Sequence, residues 1–278
     1  MRPHVEFVHT HEMPFESAGL VPSRAEIGSK LLSRAPGDGA LSAVLHYPAG
    51  WKGKANELIA ADEEFFVLSG TLLIGNLSYG EGCYAHLPSG YAKTLSAGPA
   101  GAEVLTFFSQ DPAPMSHAAA FERSRLVERL SLYEDGWDVD YSGVNSPEIA
   151  ASGSRKKLLR TDPLSGDQTW IMGVIPSYRE KKVESHPVVQ ECYIVSGELA
   201  GNYGLMTAGS YFWRPPQILH GPYGTKTGSI ILSRTIGGKL IVDYYDLVDA
   251  FSYSPIHKVR VPEELRVYAQ ERKPAPRY

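Results

Sequence analysis

The sequence predicts an all-β protein made of two tandem copies of one barrel, and two observations predict it. Short apolar runs bounded by Gly, Pro, Asn or Ser recur along the chain, and the landmarks of the first half return 127 residues later in the second. Gly70 and Gly197, Gly82 and Gly209, Pro88 and Pro215, and Lys93 and His220 all share that offset. The runs, among them Glu64–Leu68, Glu103–Phe108, Trp170–Ile175 and Ser229–Ser233, are rich in β-branched and aromatic residues, as strands of a sandwich or barrel require.

Taken in order, each repeat begins near a leucine pair, Leu31-Leu32 or Leu158-Leu159, and closes after Thr106–Phe108 or Ser233–Thr235. Between the repeats, Phe121, Leu126, Val127 and Leu130 recur at helix-like spacing and predict a short amphipathic helix. Asp135–Asp138 and Ser142–Pro147 read as turn and linker. The expected organisation is a barrel over 1–120, a helical linker over 121–152 and a second barrel over 153–278. The Pro-rich, basic end beyond Lys258 reads as frayed or docked on a partner.

A chain of 278 residues is long enough for two buried cores. A net charge of −4 argues against a general affinity for nucleic acid, which needs a concentrated basic surface. Cys83 and Cys192 fall in different repeats inside expected strands, where inert buried thiols are the ordinary reading. No apolar run approaches the roughly 20 residues of a membrane span, and no signal-peptide core opens the chain, so a cytoplasmic location is expected.

Chemistry concentrates in the second repeat, at Glu184, His186 and Gln190, followed by Gly209, Pro215 and His220. The aligned residues of the first repeat are Glu57, Ile59, Glu63 and Lys93. These motifs resemble the cupin superfamily, whose first motif places two spaced His and a Glu before a strand ending in Gly. Its second motif is a Gly, a Pro six residues on and a His shortly after. The resemblance covers both repeats and implies a bicupin jelly roll. The turn at Arg214–Pro216 with His220–Pro222 is similar to the cupin domains of ChrR-type anti-sigma factors.

The resemblance implies one divalent transition metal in the second barrel, iron first, with Mn, Ni, Zn or Cu as alternatives. Its ligands would be His186, His220, Gln190 and Glu184. Glu191 stands in reserve, because a one-residue slip would exchange it for Gln190. Glu184 stands where the family usually has its first His, and Gln190 where it has its Glu. Glu184 is therefore expected as a ligand or as a catalytic base. Ile59 cannot coordinate a metal, and Lys93 is expected to pair internally with Glu57 and Glu63, leaving the first barrel metal-free. His9, His11, His46 and His86 lie outside the ligand register and read as strand or surface residues.

Tyr178, Tyr193, Tyr211, Trp213 and Arg234 are expected to line the mouth of the second barrel and contact a small organic substrate. Arg214 reads as a carboxylate-binding or rim residue. Together these residues suit a metal-dependent enzyme, a non-haem dioxygenase first. A metal-dependent lyase or isomerase, or a ligand- or metal-sensing binding protein, are the alternatives. Flat sheet faces favour a homo-oligomer, with a dimer first.

Overall fold

The structure is a computed structural model that describes residues 1–17, 19–117, 120–137, 154–246 and 251–271. The expected linker over 142–147 and the basic end beyond residue 271 lie outside the described residues. The all-β expectation holds. The described chain is strands, turns and three short 3-10 helices. It divides into two compact units, one formed by residues 1–2 and 13–136, the other by 3–12 and 137–278.

The first unit is an antiparallel sheet in the order Gly28–Arg34, Leu41–Tyr47, Leu95–Phe108, Glu63–Ile74, Cys83–Leu87 and Val127–Ser131, with Leu77–Tyr79 paired to Glu63–Ile74. Alternate side chains of these strands close on a core that includes Leu45, Phe65, Val67, Tyr79 and Val104, all buried. The second unit repeats the order. Arg155–Thr161, Gln168–Val174, Ser229–Ile236, Val189–Gly201 and Ser210–Arg214 follow one another, and Val5–His9 forms the edge. Three strands, Gly28–Arg34, Leu41–Tyr47 and Cys83–Leu87, return at the offset of 127 with both ends in register. A two-stranded ladder of Val183–Ser185 with Asp243–Tyr245 stands apart from the large sheet of this unit.

Two expectations change. The segment over 121–130 is no amphipathic helix, but a 3-10 turn at Arg123–Arg125 followed by the strand Val127–Ser131. Cys83–Leu87 would otherwise present an open row of N–H and C=O groups, and pairing Cys83 with Ser131 and Tyr84 with Leu130 satisfies them. Four apolar residues in ten also fit a half-buried edge strand, so spacing alone could not decide. The expected boundaries shift as well, because residues 3–12 belong to the second unit. Val5–His9 pairs there with Ser210–Arg214, the position that Val127–Ser131 takes in the first unit.

Gly70 and Gly197 close the paired strand–turn elements at φ of 74° and 76°. A β-carbon on Gly197 would collide with the carbonyl oxygen of Gly228, and one on Gly70 with that of Gly101. Both the backbone angle and the space demand glycine. Gly197→Ala should cost about 1–3 kcal/mol, read as a lowered denaturant midpoint, and Gly70→Ala should behave alike.

Candidate metal centre

The same backbone frame occurs in both units. Glu57 and Lys93 exchange backbone hydrogen bonds of 2.7 and 3.1 Å, and Glu184 and His220 exchange bonds of 2.9 Å each at the repeat offset. What the frame carries opposite the shared glutamate differs.

In the second unit, Glu184 lies in Val183–Ser185, His186 follows directly, and His220 enters from the turn after Ser210–Arg214. All three are buried. The His186 Nδ1 lies 2.9 Å from the Ile241 carbonyl, and the His220 Nδ1 lies 2.8 Å from the Ile218 carbonyl. A carbonyl only accepts, so each Nδ1 carries the proton and each Nε2 presents a lone pair. Those two Nε2 atoms are buried without a hydrogen-bond partner. They lie 3.6 and 3.3 Å from Glu184 Oε1. The three donor atoms fall within 4.8 Å of one another.

The electrostatics follow from burial. Desolvation, with the Arg214 charge, pushes His220 down to about 4 against the pull of Glu184, so its ring is neutral at pH 7. A carboxylate thus faces two lone pairs in a dry site. Backbone-oriented imidazoles around a carboxylate are the donor set of a transition-metal centre, and the orphaned Nε2 atoms fit an ion there. Among the described residues this is the one group of three or more His, Cys, Asp or Glu able to hold a metal.

The first unit fills the equivalent space with protein cations. Lys93 Nζ lies 3.0 Å from Glu63 and 4.0 Å from Glu57, the ion pairing expected from the sequence. Arg24 does more. Its Nη2 donates to Glu57 at 2.8 Å and to Glu63 at 2.6 Å, and its Nη1 donates to the Tyr47 hydroxyl at 2.7 Å. Burial would raise Glu63, yet Arg24 and then Lys93 hold it at about 2. Arg24 lies outside both motifs, and no spacing in the sequence marks it.

A cavity of about 80 Å³ adjoins the second unit's site, lined by Glu184 and His186 among others. Trp170, Met172, Phe212 and Leu240 make it largely apolar. Of the expected substrate residues, Tyr178 lines it and Tyr193, Tyr211, Trp213 and Arg234 do not. The reason is strand parity. Gln190 and Cys192 face the cavity from Val189–Gly201, whereas Glu191 and Tyr193 face away. On that far side Glu191 accepts from the Tyr211 hydroxyl and the Arg234 guanidinium, both at 2.6 Å. Tyr193 shares a hydrogen bond of 3.0 Å with Thr10. Glu191 is thus committed away from the triad and does not serve as the reserve ligand. Cys192 is an inert buried thiol, pushed up to about 12 by desolvation, and Cys83 is buried and free.

Sequence reasoning missed Glu180 and Tyr223, which line the cavity, and Glu6, which holds Arg214. For Glu6 a signal existed: a carboxylate within the apolar run Val5–Val8 needs a buried partner.

The fold is that of two tandem cupin barrels, with one candidate metal centre in the second. A protein from Nostoc punctiforme described as a candidate dioxygenase has a similar structure, with a TM-score of 0.68 and 20% identity over 92% of this chain and 84% of that one. The Ylba protein of E. coli, of family-model DUF861, is similar at a TM-score of 0.58 and 16% identity, over 83% and 90% of the two chains. A single-residue variant of the oxalate decarboxylase of B. subtilis is similar at 0.55 and 12% identity, over 86% and 78%. No curated protein matches the chain. Residues 6–240 match the family described as Domain of unknown function (DUF4437), and the chain belongs to that family. Among the described residues no helix is long and apolar enough to cross a membrane.

In metal-free protein, long-range ¹H–¹⁵N spectra should show His186 and His220 as Nδ1–H tautomers; an Nε2–H form of either would contradict the arrangement. Arg24→Met should destabilise the first unit by about 3–5 kcal/mol by leaving buried carboxylates undercompensated, measured by urea unfolding. Glu63 titrates lower folded, at about 2, than at its ordinary 4.5. Its contribution is therefore whole above pH 4.5 and fades as pH falls toward 2.

Proposed function

We propose that the second barrel is a metal-dependent enzyme centre, a non-haem dioxygenase acting on a small organic substrate. The observation that carries this reading is the meeting of Glu184 with two backbone-oriented, unpartnered Nε2 atoms beside an apolar cavity. Glu184, His186 and His220 would hold one divalent ion, iron first. Two imidazoles and one carboxylate with open positions are the set of non-haem iron oxygenases. When bound, the ion supplies a redox-active, Lewis-acidic centre open to substrate.

The chain's own residues do the rest. Glu184, engaged with both imidazoles, offsets one positive charge and acts as a ligand rather than as a free base. The Ile241 and Ile218 carbonyls hold each imidazole in the tautomer that presents Nε2. Apolar walls exclude water and keep local interactions strong. Glu180 is the carboxylate left to move a proton. It reaches the cavity with Oε1 3.4 Å from the Tyr178 hydroxyl and with Oε2 accepting from the Tyr223 N–H at 2.9 Å.

That second carboxylate favours a runner-up reading, a metal-dependent lyase or isomerase, because proton transfer is what such chemistry requires. The likeness to oxalate decarboxylase agrees with it. A sensing role, which the ChrR-type resemblance implied, would leave the site binding a ligand without turnover.

Purified protein should take up about one Fe(II) or Mn(II) per chain, and His186→Ala with His220→Ala should abolish the uptake. Oxygen electrode traces with catechols, diketones and hydroxyketones should show substrate-dependent O₂ consumption. Turnover without O₂ uptake selects the lyase or isomerase, and no metal uptake sinks both.

A further inference from the structure

The cavity has a second polar end besides the metal centre. Arg214 is fully buried and stacked 4.3 Å over the Phe212 ring. Glu6, from Val5–His9, accepts from its Nε at 3.0 Å and also from its Nη2. The opposite charges hold one another. Burial would raise Glu6, but Arg214 and His4 keep it at about 2. The remaining donors of the fork point to two residues that line the cavity, Gln190 and Tyr223.

A guanidinium has donors and no acceptor, so the Gln190 atom facing it at 2.6 Å is the carbonyl oxygen. The amide is thereby turned with its NH₂ away from Arg214. Among the described residues the Gln190 side chain makes no other hydrogen bond. Tyr223 likewise accepts from Arg214 Nη2 at 2.9 Å, which leaves its own proton to give. Burial raises that hydroxyl far above its ordinary range, so the proton stays on the oxygen.

We infer that Gln190 and Tyr223 form a donor pair, oriented by the buried Arg214–Glu6 pair, that receives a carbonyl or carboxylate oxygen of the substrate. The inference rests on the proposed function in taking this cavity as the substrate site. It has a consequence for the ligand set. Gln190 carries its oxygen toward a cation already in the protein and its N–H groups elsewhere, so it is a specificity residue and not a fourth metal ligand. Because Glu6 neutralises Arg214, the pair offers hydrogen bonds without a net charge, and an uncharged ketone oxygen is received as well as a carboxylate. The cavity of about 80 Å³ suits a molecule of a few heavy atoms.

The test uses the full chain loaded with Mn(II) and pyruvate as probe, followed by isothermal titration with metal content measured in parallel. Wild type should bind pyruvate. Gln190→Leu should weaken it about tenfold and Tyr223→Phe about threefold or more, as loss of single neutral hydrogen bonds requires. Gln190→Glu, which has no proton to give at neutral pH, should abolish pyruvate binding. All three variants should retain one Mn(II) per chain, and Gln190→Leu should leave its affinity unchanged. A tenfold loss of Mn(II) affinity in Gln190→Leu makes Gln190 a ligand and overturns the inference. So does wild type that ignores pyruvate, or pyruvate affinity unmoved in both Gln190→Leu and Tyr223→Phe. If wild type takes up no metal, the proposed function falls by itself. The same titrations on the metal-free chain then decide the donor pair, supported by the same losses and overturned by equal affinities.

Discussion

A buried carboxylate needs a positive charge beside it, and the two barrels meet that requirement in different ways. Glu57 and Glu184 occupy the same backbone frame, each locked by a pair of hydrogen bonds to the residue 36 positions on. Glu57 finds Arg24 and Lys93. Glu184 finds two imidazoles whose Nδ1 atoms are held by backbone carbonyls and whose Nε2 atoms face it, and among the described residues no lysine or arginine pairs with it. Desolvating an anion without compensation costs several kcal/mol, so the second arrangement is complete only with a cation from solution. The first needs none.

Arg214 is a buried cation whose charge reaches His220, and the fold commits it to Glu6. Glu6 binds it through two of its nitrogens, supplied by an edge strand that the second unit draws from the beginning of the chain. The result is a separation of charge inside one barrel. Arg214 and Glu6 balance one another, while among the described residues no lysine or arginine pairs with Glu184. A free arginine in reach of Glu184 would reproduce the first unit's closed ion cluster and leave no place for a metal. The Val5–His9 strand therefore bears on the chemistry as well as on the sheet edge.

Much of this was legible in the sequence because backbone constraints leave periodic marks. Glycines at positive φ and prolines in turns recur at 127, and they located both strands and site. The donors Glu184, His186 and His220 could be named for the same reason. What could not be read were partners brought together by the fold from far along the chain, Arg24 with Glu57 and Glu6 with Arg214, since an ion pair has no required spacing. The aromatic residues failed differently. Tyr193, Tyr211 and Trp213 lie next in sequence to Cys192 and Phe212, which line the cavity, and one step along a strand reverses the face. Alternation already turned Glu191 outward, and Tyr193, two residues on, had to follow it.

That parity also explains why an aromatic-rich barrel presents so small a cavity. Tyrosine and tryptophan on the far face are buried in the unit's own packing, with hydroxyls bonded to Thr10 and Glu191 rather than to anything in the cavity. The inner face keeps Trp170 and Phe212 among smaller apolar side chains, and besides the metal donors its polar groups are Gln190, Glu180, Ser233 and the hydroxyls of Tyr178 and Tyr223. An apolar wall binds without direction, so orientation must come from those polar groups and from the metal donors. Discrimination by hydrogen bonds to a dry site is steep, because a molecule lacking the matching group leaves a buried donor unpaired. On the proposed function, substrate choice in this barrel would be set less by its aromatic residues than by the direction in which Arg214 turns one amide.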